Sequence, residues 1–249
     1  MIDDPVIRRI WGSIDTILII FAGSAAEFAL NKAVDWLFFT NELPDAPIER
    51  FFETVRFGQA IIFGDEATAA AAVETVNRAH QQVEAQRQAT IPQWSYRDTL
   101  FMLVYYGERA YEIVYGPLSN TERLDHFRGT MEIGRAMGIK GLPDRYAEYQ
   151  RQRQQHLHNP LKRSAYPDRL YQRYREHIGA VRMQGLRWVQ ANIVPPEVAE
   201  LLGLRPQLGS GMVVGMYRYV RIPHLLRLLY PVIVPYGYKS QLAHLEQRI

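Results

Sequence analysis

Arg50 and Thr54 stand four residues apart in the segment Glu49–Thr54 (ERFFET). That spacing puts both side chains on one face of a helix. Phe51, Phe52, Val55 and Phe57 supply apolar surface around them. A guanidinium held among aromatics calls for an anionic partner: Glu53, Glu49 or Asp45 of the chain itself, or a carboxylate or propionate of a ligand. His80 is the second candidate. It continues the stripe Ala69, Ala72, Val73, Val76, His80, Val83, whose steps of three and four aim the imidazole inward. A neutral imidazole on a rigid helix in an apolar pocket suits an axial ligand of haem iron. A core histidine bonded to a carbonyl fits the same placement, and the residues alone leave both open.

Other groupings are weaker. His156-Leu157-His158 resembles a metal-ligand spacing, but Gln and Arg neighbours suggest an exposed helix end, and alternate helical residues splay apart. Asp125-His126 and Glu176-His177 are sequence neighbours and do not read as relays. The chain has no cysteine, which excludes disulfides, thiol nucleophiles, thiolate-held zinc and iron–sulfur clusters. It carries no Gly-rich phosphate loop, nucleophile elbow or zinc-protease helix; the glycines of Gly209–Gly215 (GSGMVVG) read as a flexible connection.

The elements that must position these residues read as helices. Apolar spacing predicts helices over Trp11–Phe39, Ile48–Phe63, Glu66–Gln88, Thr99–Tyr115, Glu122–Met137, Pro143–His158 and Asp168–Asn192, with a short one from Pro195–Pro196 to Leu202. Gly23, Ser24, Ala25 and Ala26 would let another helix or a flat ligand approach the first helix closely. Leu43–Pro47 (LPDAP) reads as a turn, Ile91–Asp98 (IPQWSYRD) as a loop, and Ser119 to Glu122 as a capping box. No period-two run persists. The expectation is an all-α, single multi-helix domain over residues 1–249, less compact over 203–249.

The 249 residues are 47% hydrophobic and 22% charged, which excludes disordered and low-complexity classes. Net charge is +3, but Arg145–Arg187 holds ten Lys/Arg against three Asp/Glu. Without a nucleic-acid motif, that surplus reads as a solvated helix face, and no nucleic-acid partner is expected. The longest apolar stretches, Thr16–Ala26 and Leu228–Tyr238, fall well short of the ~20 residues that span a bilayer. Asp3, Asp4 and Pro5 stand where a secretory signal wants basic residues. The expected location is the cytoplasm, with the Tyr217–Tyr238 tail able to lie on a membrane surface.

Taken together, FAGSAAEFAL (Phe21–Leu30), PIERFFET (Pro47–Thr54), FGDEATAAAAVETVNRAHQQVEA (Phe63–Ala85), WSYRD (Trp94–Asp98) and YGPLSNTE (Tyr115–Glu122) resemble the MpaB-like oxygenase family, which includes rubber oxygenases. The likeness covers roughly residues 10–200. It implies a globin-like helical core holding haem b, with His80 as the iron ligand and Arg50 and Thr54 beside the haem. It further implies oxygen chemistry with O2 on a small apolar, unsaturated substrate, in which Arg50, Thr54 and Glu53 take catalytic parts, Glu53 as a proton acceptor. The other reading is a non-catalytic helical protein that associates with lipid or membrane and whose haem site has decayed.

Overall fold

The computed structural model describes residues 4–40, 47–158, 161 and 166–206, and in the C-terminal stretch residues 209, 211–212, 216–217, 238, 240–241 and 244–246. Ten long helices lie among them: α1 (Pro5–Gly12), α2 (Ile14–Leu30), α3 (Val34–Thr40), α4 (Pro47–Phe63), α5 (Glu66–Arg87), α6 (Gln93–Val114), α7 (Asn120–Ala136), α8 (Tyr146–His158), α9 (Tyr166–Ile193) and α10 (Pro196–Leu202). The only extended pairing among the described residues is an isolated bridge between Asn31 and Leu161. The expected all-α class is therefore the observed one, in a single domain. The turn at 43–46 and most of the Tyr217–Tyr238 tail lie outside the described residues.

The expected helix Trp11–Phe39 is instead the end of α1 followed by α2 and α3. Asp4 caps α1 by accepting from the amides of Val6 (2.7 Å) and Ile7 (3.1 Å). Ser13 is extended (φ −108°, ψ 128°), and α1 and α2 meet at 82°. The Thr16 hydroxyl holds that corner by donating to the carbonyls of Ile10 and Ser13. Asn31 ends α2 in an extended conformation, and its side-chain oxygen accepts from the Ala33 amide at 2.8 Å, opening α3.

α2 runs through the core, packed chiefly against α6 and α9. The small-residue stretch does what its composition allows: a Cβ at Gly23 would lie 2.2 Å from the Tyr106 ring of α6. The Tyr106 hydroxyl donates to Glu27 (2.9 Å), and Glu27 also receives both terminal nitrogens of Arg153 from α8. α6 begins at Gln93, so the expected loop Trp94–Asp98 is its first turns; Pro92 stops the preceding chain but sits just ahead of a helix, where its missing N–H does no harm. The capping box of α7 forms as expected. α9 breaks at Gly179 (φ 81°, ψ 164°), a backbone state that favours glycine.

No single helix among the described residues is long and apolar enough to cross a membrane; α1 and α2 pass together by composition, but they are bent and line the core.

Candidate functional site

α4 and α5 form a hairpin joined at Gly64–Asp65, and α5 packs chiefly on α4. Asp65 caps α5 by accepting from the Thr68 amide at 2.8 Å. The antiparallel pairing brings the start of α4, with Arg50, alongside the later turns of α5, with His80. The inward stripe on α5 is only partly covered. Ala72 is its one buried residue, while Ala69, Val73, Val76, His80 and Val83 are half-buried. Of this stripe Ala69 and Val73 border a cavity, while Ala72 is buried.

The cavity measures about 760 Å³. Its apolar lining is Ile61 of α4, Ala69, Ala70 and Val73 of α5, and Ile133 and Ala136 of α7. Asn77 and Gln81 extend the α5 wall. Seven residues separate Val73 from His80, which on an α-helix places them within about 20° of each other in direction. His80 itself is not among the residues that line the cavity; it stands beside Gln81 at the cavity's edge, turned toward Tyr96 of α6 and within electrostatic reach of Arg50 of α4.

The His80 ring meets Tyr96 of α6 edge to face at 5.1 Å between centroids. Burial pushes the imidazole below its ordinary pKa; Glu84 pulls the other way and Arg50 adds to the depression. The ring is neutral at pH 7, and among the described residues neither nitrogen is in a hydrogen bond. Tyr96 is itself pushed up to about 12 by burial and by Glu84. Glu84 also accepts from the Ile91 amide at 2.7 Å, fixing the connection into α6.

Arg50 is close enough to bear on the charge of His80. Its side chain is 40% exposed, more open than the surrounding phenylalanines implied, and it donates to Glu53 at 3.2 Å. Of the anionic partners expected for it, Glu53 is seen to pair with it, and Asp45 lies outside the described residues. Thr54 is exposed, and its hydroxyl donates to the Arg50 carbonyl at 2.8 Å. That bond ties up its proton, as helical threonines often do.

Two histidines differ from expectation. His126, in a helix read as polar, is 1% exposed, and neither ring nitrogen finds a hydrogen-bond partner. It packs where a Cβ on Gly107 would lie 2.7 Å from its Nε2, with Ile10 beside it. Burial drives it down to about 4; the Val104 backbone, near the ring but outside good hydrogen-bond geometry, opposes this only weakly. The spacing Phe127, Thr130, Met131, Gly134 marks this face of α7 as buried and could have placed His126 on its edge. His156, read as exposed, instead pairs through Nδ1 with the buried Asp98, which also receives Asn31 at 2.8 Å. Its neighbours Arg153 and Leu157 continue a buried stripe from Tyr149.

Among the described residues no three His, Asp or Glu side chains gather as a metal cluster. An iron carried in a porphyrin asks less of the protein: one neutral imidazole, a nearby cation and a pocket. Among the described histidines His80 comes nearest to that description: His126 is enclosed by core side chains, His156 is held by Asp98, His177 and His244 are engaged with backbone carbonyls, and His158 is exposed. Residues 10–223 match the family described as ER-bound oxygenase mpaB/B'/Rubber oxygenase, catalytic domain. The chain belongs to that oxygenase family. No curated protein and no solved structure matches it. The match covers the whole α4–α5 hairpin and the cavity beside it, so the residues singled out lie within the oxygenase domain proper.

Proposed function

We propose that this oxygenase domain binds haem b through His80, in a globin-like helical setting, and acts with O2 on a small apolar, unsaturated substrate. The observation that carries the proposal is His80 itself: a neutral, half-buried imidazole, with neither nitrogen engaged among the described residues, beside Gln81 at the edge of the cavity. The residues present fit the group. A ligating imidazole must be deprotonated at one nitrogen, which burial and Arg50 both favour. Bound there, haem would supply activation of O2 and its transfer to the substrate.

The chain's own residues do the rest. Arg50 offers a guanidinium near His80 for a propionate or a polarised substrate oxygen. Glu53 holds Arg50 in place across one helical turn and stands ready to take a proton. Thr54 fixes the same turn through the Arg50 carbonyl; donating to a ligand would require it to exchange that bond. The apolar side chains contributed by α4, α5 and α7 suit a hydrocarbon substrate.

The test is spectroscopic. Wild-type protein should purify with, or take up on reconstitution, a haem giving a strong Soret band. His80→Ala should lose it while keeping its helical circular dichroism, since alanine favours helix. A folded His80→Ala variant with full haem and an unchanged spectrum would overturn the assignment. So would wild-type protein that stays colourless after reconstitution.

A further inference from the structure

We propose that the groove between α5 and α7 binds an elongated amphiphile whose head group is cationic, of the long-chain alkylammonium class. The groove's residues on α5 run from Glu66 to Gln81, a length of roughly 22 Å at 1.5 Å per residue. Its apolar walls lie toward the Glu66 end, where Ala69, Ala70 and Val73 stand opposite Ile133 and Ala136, and Glu74, Asn77, Arg78 and Gln81 line the rest of α5. No bulky side chain fills the space between them. An extended hydrocarbon fits that shape better than a compact, polar molecule does.

The polar lining decides the head group. Three carboxylates, Glu66, Glu74 and Glu132, border the cavity against a single cation, Arg78. Arg78 is taken by Glu74 at 2.5 Å, so its charge is already balanced. Glu66 and Glu132 form no ion pair with any described residue. Glu66 lies in the first turn of α5, where the helix dipole favours a carboxylate and accounts for it locally. Glu132 has no such account, because it stands one turn from the C-terminal end of α7, where the dipole disfavours negative charge. Asp4 adds to the same field: after burial, Asp125 and Glu132 contribute to raising its pKa. An anionic head such as a fatty-acid carboxylate would meet net repulsion here. An ammonium would be attracted, and its apolar tail would lie against the Ala69–Val73 wall and Ile133.

That the bound amphiphile is the molecule the oxygenase acts on rests on the haem reading above; the binding site itself does not. Calorimetric titration of the full chain with decylammonium and with decanoate, each below its micellar range, tests the site. Decylammonium should bind at least tenfold more tightly than decanoate. The double variant Glu66→Gln/Glu132→Gln should weaken decylammonium at least fivefold, and Ala69→Trp should block it by filling the groove. Equal binding of the two amphiphiles, or decylammonium binding unchanged in the double glutamine variant, would defeat the proposal. Should Ala69→Trp fail to fold, by circular dichroism, the glutamine variant still decides, because both its sites are exposed. The Soret band of haem-loaded Glu66→Gln/Glu132→Gln should equal that of wild type. If wild-type protein takes up no haem but binds decylammonium as described, the oxygenase reading fails and the amphiphile site stands.

Discussion

His80 and His126 show what a sequence can and cannot say about one imidazole. Both follow from helical spacing, yet the outcome depends on what the opposite helix presents. His80 is half-buried at the edge of a cavity that Val73 and Gln81 line, whereas His126 faces the bare backbone of Gly107. Nothing in the order of residues reveals that Gly107, in another helix, leaves room for the ring. The difference has a pH signature. His126 titrates near 4 in the folded protein because burial penalises its charge, and near 6.5 once unfolded. Between those values the unfolded chain binds the extra proton, so stability is complete above pH 6.5 and falls as the pH drops toward 4. At pH 5 this one group accounts for a loss of about 2 kcal/mol. His126→Leu should be close to neutral at pH 7.5, because an apolar side chain replaces an imidazole that makes no well-formed hydrogen bond. Urea unfolding at pH 7.5 and 5.0 should then show the variant losing about 2 kcal/mol less than wild type over that interval. Equal losses in the two proteins would mean that the ring is already hydrogen-bonded or solvated.

The element that carries His80 is also the least enclosed. α5 packs chiefly on α4, and its far end is clamped to α3 by Arg87. Arg87 pairs with Asp35 of α3 at 2.6 Å and lies over the Trp36 ring at 4.1 Å, with Phe39 at 5.5 Å. A partly buried ion pair and a cation–π contact together contribute about 1–2 kcal/mol. His80 lies two turns before this clamp, so the clamp sets how steadily α5 presents it. Arg87→Gln should speed amide exchange over residues 80–87 by about tenfold, a local opening worth about 1.4 kcal/mol, while exchange in α2 and α6 stays as in wild type. Uniform acceleration across all helices would show instead that Arg87 supports the whole fold. At this scale the sequence was informative about existence and poor about boundaries. The capping box at Ser119–Glu122 is a local pattern and was readable. The corner at Ser13 is held by Thr16 bonding back to Ile10 and Ser13, a choice that apolar periodicity does not record. Gly179 breaks α9 in the same silent way.

Across the whole molecule, α2, α6 and α8 are joined through one buried ionic group. Glu27 is 2% exposed and Arg153 is 4% exposed. Both terminal guanidinium nitrogens of Arg153 reach the Glu27 carboxylate, and Tyr106 donates to it at 2.9 Å. The Arg153 guanidinium also lies 5.3 Å from the Tyr105 ring centre. From sequence, Glu27 marks the end of an apolar run and Arg153 belongs to an Arg- and Gln-rich face. Their pairing spans 126 residues, and no local pattern connects them. A buried pair of this kind is weak evidence of added stability, since two desolvated charges roughly offset their attraction. Breaking it is another matter. Glu27→Gln leaves a guanidinium enclosed in the core with a neutral partner and should lower unfolding stability by about 3–5 kcal/mol at pH 7.5. Removing both charges, with Glu27→Met and Arg153→Met together, should recover most of that loss, because apolar chains of similar length refill the volume. Urea unfolding of the three proteins gives the comparison directly. The double variant should also take up haem like wild type, since neither Glu27 nor Arg153 lines the cavity beside His80. A double variant as unstable as Glu27→Gln would show that the ion pair specifies how the three helices dock, beyond merely satisfying its own charges.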